Sequence, residues 1–68
     1  MYPNLCAEIA RTGLPRKEVA KAINKKPATF SQKLNGYVKF ELAEAIAIKE
    51  FLGCEDVPIE VLFDWRED

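Results

Sequence analysis

Arg16-Lys17-Glu18-Val19-Ala20-Lys21-Ala22-Ile23-Asn24-Lys25-Lys26-Pro27-Ala28-Thr29-Phe30-Ser31-Gln32-Lys33-Leu34-Asn35-Gly36 carries two short helical stripes separated by turn residues. Val19, Ala20 and Ile23 share a helical face while Arg16, Lys17 and Lys21 lie outside it, which predicts a helix over 16–23 opening after Pro15. Asn24 suits a positive-φ turn, and Pro27 suits the first position of a new helix, where its missing N–H would have no partner anyway. Phe30 and Leu34, at i, i+4, then form the buried stripe of a helix over 27–34 that Gly36 ends. Ala20 falls where the two helices would cross, and a larger side chain there would push them apart. Two short helices so joined pack at a steep angle and leave the outer face of the second free to enter a major groove.

Upstream, Leu5 and Ile9 with the small Ala7 and Ala10 predict a helix over 4–12, stopped at Gly13. Downstream, Tyr37-Val38-Lys39-Phe40 reads as an extended connection whose Phe40 plugs the core. A helix over 41–52 follows, with Leu42, Ala45, Ile46 and Ile48 or Lys49 near its inner face and Gly53 as its stop. A last helix over 58–63 offers Ile59, Leu62 and Phe63 to the core. Strand character for 57–63 is the alternative, but an isolated strand has nothing to pair with. The expected fold is all-α, a compact bundle of about five short helices forming a single domain over 1–68.

Composition narrows the function classes. A chain of 68 residues buries only about 60% of the surface its unfolded form exposes, so its core must be efficient. The absence of histidine removes His-based acid–base chemistry and His-containing metal sites, and two distant cysteines, Cys6 and Cys54, make a poor metal site. Met1-Tyr2-Pro3-Asn4 leads straight into an amphipathic segment, so reduced thiols in a cytoplasmic protein are expected rather than a disulfide. No apolar run approaches the roughly 20 residues of a membrane span. No nucleophile lies beside a plausible base and no glycine-rich phosphate loop exists, so neither an enzyme nor a cofactor is expected.

Charge is divided more sharply than the net of −1 suggests. Residues 11–39 hold eight cations against the single anion Glu18, a net of +7, whereas residues 40–68 hold two cations against nine anions, a net of −7. A strongly positive half carrying a two-helix unit suggests a surface for nucleic-acid phosphates. Charge alone is equally compatible with a solvated basic face.

The ordered run from Arg16 to Asn24, then Phe30 and Lys33-Leu34-Asn35-Gly36, resembles the phage-repressor and Cro-like helix-turn-helix family (XRE type). Asn4-Leu5-Cys6-Ala7-Glu8-Ile9-Ala10-Arg11, Phe40 and the closing Ile59-Glu60-Val61-Leu62-Phe63 extend the resemblance over about residues 4–63, toward members carried by prophages and mobile elements. The resemblance implies a lambda-repressor-like fold and a transcriptional regulator, a phage-type repressor, that reads double-stranded DNA. It also implies a homodimer on a pseudo-palindromic operator. Helix four, helix five and a tail bearing Phe51, Val57, Val61 and Trp65 are the surface available for such pairing. Some positions depart from the family. Pro15 and Lys26 stand where Ser or Thr usually caps a helix, each lost cap costing about 1 kcal/mol, with Glu18 compensating through the helix dipole. Lys25 replaces an apolar turn residue, so either its stem lies over the core with the ammonium in water or the turn has opened.

By the same resemblance the first turns of helix three meet base edges, which points to Pro27, Ala28, Thr29, Ser31 and Gln32. Gln32 can pair bidentately with adenine, Thr29 can use its hydroxyl or methyl, and Ala28 can touch a thymine methyl. The alternative for Gln32 is an ordinary solvated residue, and for Pro27 and Ala28 simply good helix starters. Phosphate contacts are assigned to Arg16, Lys26, Lys33, Asn35, Tyr37 and Lys39, with Lys17 and Lys21 supplying long-range field. Tyr37 reads equally as a surface aromatic over Phe40. A competing function is a protein-interaction accessory module that uses the acidic half.

Overall fold

Five helices enclose the Phe30 side chain in the computed structural model, which describes residues 1–67. They are α1 (Pro3–Thr12), α2 (Arg16–Ala22), α3 (Pro27–Leu34), α4 (Leu42–Leu52) and α5 (Ile59–Leu62), with no strand among the described residues. The Cα radius of gyration is 10.7 Å. Leu5, Val19, Phe30, Ile48 and Leu62, one from each helix, are the largest fully buried side chains, so every helix contributes to one core. Among the described residues, no helix is long and apolar enough to cross a membrane.

Helix ends follow from local chemistry. Proline occupies the first turn of α1 and α3, where its missing N–H leaves no gap. Pro15 and Lys26 precede α2 and α3 in extended conformation and supply no side-chain cap, as their chemistry requires. The α2–α3 turn is closed: Asn24 takes φ 56°, the Lys25 N–H donates to the Ala20 carbonyl at 3.0 Å and the Asn24 N–H to that of Lys21 at 3.0 Å. That pairing is a Schellman arrangement, and Gly36 repeats it after α3, with the Tyr37 N–H on the Gln32 carbonyl at 3.0 Å and its own N–H on that of Lys33 at 3.2 Å.

The chain termini close against this second turn. Met1 and Arg66 exchange backbone hydrogen bonds at 2.7 and 2.8 Å, and the Tyr2 ring meets Trp65 edge-on at 4.9 Å. Trp65 is thereby laid over Gly36, which has φ 82° and where an added Cβ would stand 2.5 Å from Trp65 Cη2. Gly36→Ala should therefore cost about 1–2 kcal/mol for left-handed backbone alone, and more as the indole is displaced. A urea midpoint unchanged by that substitution would contradict the packing described.

Two faces differ from expectation. On α1, Leu5 and Ile9 are buried but Ala7 and Ala10 are exposed. On α4, Leu42 and Ile46 point outward, Leu42 with 67% of its surface exposed, while Glu44, Ala45, Ile48 and Leu52 face inward. Hydrophobicity alone favoured the leucine and isoleucine, but the core-facing stripe at 44, 48 and 52 is the one whose first member answers a buried cation on α3. Phe40 packs against the core and lies edge-on to Phe30, Tyr2 and Phe63, as a plug should.

Candidate functional site

The α3 helix buries Phe30, Lys33 and Leu34, so rotation about its axis turns the opposite side to solvent. Pro27, Ala28 and Gln32 are exposed there, with Thr29 and Ser31 half-buried on its flanks. Ala28 and Gln32, one helical turn apart, share a face. Arg16, Lys26, Asn35, Tyr37 and Lys39 are all exposed as well, Tyr37 at 82%, which removes the alternative of a ring covering Phe40. Asn35, Tyr37 and Lys39 lie on the connection that the Gly36 turn and Trp65 hold in place.

Beside the start of α3, Lys17, Lys21, Lys25 and Lys26 line an open groove of about 580 Å³ together with Asn24 and Pro27. Lys17 and Lys21 thus stand closer to the α3 N-terminus than a purely long-range role implies. Glu18 lies 3.8 Å from Lys21 across an exposed pair, which contributes little to stability and leaves the groove strongly positive.

Lys33 requires a correction. It was assigned to phosphate, but it is 4% exposed, and its ammonium donates to Glu44 Oε1 at 2.9 Å and to the Lys39 carbonyl at 3.1 Å. The same ammonium stands 6.0 Å from the Phe40 ring centroid. Its position at i+3 from Phe30 places it on the core side of α3, out of reach of a ligand on the outer face. Lys25 resolves the choice its sequence left open: the turn is closed and the side chain lies toward α4, with Nζ 3.9 Å from Glu44 Oε2.

Glu44 was not among the sequence candidates. Its carboxylate is 7% exposed, accepts from Lys33 and from the Glu41 N–H at 2.9 Å, and leaves Oε2 buried without a hydrogen bond. The signal was available as two complementary charges on core-facing positions of successive helices, Lys33 at i+3 from Phe30 and Glu44 at i−4 from Ile48. Desolvation pushes the Glu44 carboxyl up, but the Glu41 N–H, the Lys33 hydrogen bond and the charges of Lys33 and Lys25 outweigh it and hold the group below the ordinary 4.5. A depressed folded-state value means that the stabilisation is fully present above about pH 4.5 and is lost as pH falls through the lower folded value. The stability gap between the wild type and Glu44→Gln should therefore be full at neutral pH and close in acid. A gap that is constant with pH in urea titrations would contradict this.

The remaining polar chemistry is sparse. Cys6 and Cys54 are free thiols, and burial pushes the Cys54 thiol up, away from the reactive thiolate. Among the described residues, no three His, Cys, Asp or Glu side chains come together as a metal site. Phe51, Val61 and Trp65 are each partly exposed and Val57 is half-buried. Comparison with protein-family models, curated proteins and solved structures finds no match to the chain.

Proposed function

We propose that this protein is a sequence-specific double-stranded DNA-binding transcriptional regulator of the phage-repressor type. In this reading α2 and α3 form a helix-turn-helix within a lambda-repressor-like fold, and α3 enters the major groove. The observation that carries the proposal is the exposed outer face of α3, bearing Ala28 and Gln32, between two exposed polar flanks. One flank holds Arg16, Lys17, Lys21 and Lys26, and the other holds Asn35, Tyr37 and Lys39. A protruding helix face with side chains suited to base edges, bracketed by cations suited to phosphates, is the arrangement that direct readout requires.

Gln32 has the reach and the paired donor and acceptor to read adenine, with Pro27, Ala28, Thr29 and Ser31 lining the approach. Arg16, Lys26, Asn35, Tyr37 and Lys39 take phosphates, and Lys33 has a structural task instead. A single domain of this size reads a half-site, so the DNA-bound form is a homodimer on a pseudo-palindrome, paired through the exposed apolar residues of α4, α5 and the tail. The acidic half then faces away from the duplex and orients the encounter.

Selection from a pool of random duplexes provides the test. A pseudo-palindrome should be enriched, and affinity for it should fall with salt at a log–log slope of about −4 to −8 for a dimer. Gln32→Ala should relax one base position by about 1–3 kcal/mol and leave the slope unchanged. Equal retention of all duplexes would overturn sequence reading. A second reading, an accessory module binding a basic protein partner, is favoured by Leu42, Ile46, Phe51 and Val61 standing exposed within the acidic half.

A further inference from the structure

We propose that Glu44 is a positioning residue for the DNA-reading face: from α4 it holds the last turn of α3 and the turn that leads into α3, and thereby sets the orientation in which Ala28 and Gln32 are presented. The consequence for DNA rests on the function proposed above, whereas the grip itself does not.

One carboxylate meets both lysines. Oε1 accepts from Lys33 Nζ at 2.9 Å in the last turn of α3, and Oε2 faces Lys25 Nζ at 3.9 Å in the turn before α3. Oε1 also accepts from the Glu41 N–H at 2.9 Å, which anchors the carboxylate to the first turn of its own helix. Lys33 extends the linkage by donating to the Lys39 carbonyl at 3.1 Å, in the connection that bears the second polar flank. Turn, helix, connection and α4 are therefore joined through the Lys33–Glu44 pair.

The apolar contacts of α3 do not do the same. Phe30 and Leu34 keep the helix against the core, but the hydrophobic term follows the buried area and has no direction of its own. A charge-assisted hydrogen bond is directional, so the one from Lys33 in the last turn of this eight-residue helix restrains its rotation, while the 3.9 Å ion pair with Lys25 adds an attraction on the preceding turn. The two ends are unequal. Lys33 is buried and hydrogen-bonded, whereas the Lys25 side chain is 40% exposed and approaches a carboxylate oxygen that has no hydrogen-bond donor. Lys25 also lines the basic groove with Lys17, Lys21 and Lys26, so Glu44 balances a cation that would otherwise be available to phosphate.

The test uses Lys33→Met with Glu44→Met, which removes both buried charges at similar volume so that the core stays filled and the domain folded. Affinity for the selected duplex and for a scrambled duplex is measured at two salt concentrations, and amide hydrogen exchange is followed in the free protein. The expected result is a specificity ratio lowered roughly tenfold, the scale of one base contact. A salt slope steeper by about one phosphate per protomer should accompany it as Lys25 is released. Exchange should quicken in α3 while α1 is unchanged. Lys25→Met, at an exposed position, should lower the ratio and quicken exchange at the start of α3 by smaller factors, which keeps the proposal testable should the double variant not fold. A ratio within twofold of wild type, with α3 exchange unchanged, would reduce Glu44 to a packing role. If wild-type protein selects no duplex, the proposed function fails and the exchange measurement alone decides the grip: faster exchange supports it and unchanged exchange overturns it.

Discussion

Phe30→Ala should leave the domain predominantly unfolded at 25 °C. Phe30 is fully buried in the core cluster to which all five helices contribute, and its ring meets Phe40 edge-on at 6.1 Å. Truncating such a phenylalanine costs about 3–5 kcal/mol, the lost transfer free energy of the ring plus the cost of the cavity left behind. At roughly 0.05–0.15 kcal/mol per residue, a domain of this length has a total stability of about 3–10 kcal/mol. The loss is therefore comparable to the whole. Circular dichroism of the variant should show most of the helix signal gone, with α3 released from the core along with any surface it presents. A cooperative urea transition displaced by less than about 1 kcal/mol would contradict the central placement of Phe30.

Glu44→Ala carries the second large effect. Removing the carboxylate leaves the ammonium of the buried Lys33 with only the Lys39 carbonyl for a partner, and breaking a buried pair from one side costs about 3–5 kcal/mol. The Glu41 N–H loses its acceptor at the same time, adding the cost of an unsatisfied helix-start donor. Replacing both charges by methionine should recover most of the loss, because desolvating two ions offsets much of what their attraction returns. A double-mutant cycle in urea thus separates an unpaired charge from lost packing. Single effects that add, with no recovery in the pair, would mean that Lys33 reaches water once Glu44 is gone.

Elements were legible in this chain wherever one local interaction decides them. Pro27 at the start of α3, Asn24 in a left-handed turn and Gly36 after α3 each admit few conformations, so those boundaries fall where the residues demand. The face of α4 was not legible in the same way. Leu42 and Ile46 outrank Glu44 in hydrophobicity, and only knowing that Lys33 is buried across the helix interface shows that the acidic residue belongs inside. Local reading failed there because the stabilising term is a pairwise charge interaction between positions 11 residues apart.

The candidate site divides along the same line. Exposure of Pro27, Ala28 and Gln32 follows from the periodicity of Phe30 and Leu34 alone, since whatever lies opposite a buried stripe faces water. Lys33 lies at i+3 from Phe30, so the same geometry places it inside, and a preference for reading lysine as surface charge hid that. The seat of Trp65 over Gly36 depends on a tail that folds back across the whole chain, a contact no local pattern encodes.

The most direct test of DNA reading by α3 is a residue-resolved titration of the ¹⁵N-labelled protein with the selected duplex, followed by amide chemical shifts. The largest changes should fall on residues 27–32, with further changes at Arg16, Lys26 and the connection from Asn35 to Lys39, and smaller ones at the pairing residues of α4, α5 and the tail as two copies meet on the duplex. Perturbations confined to 41–67, or none at all at concentrations that saturate the duplex, would contradict it.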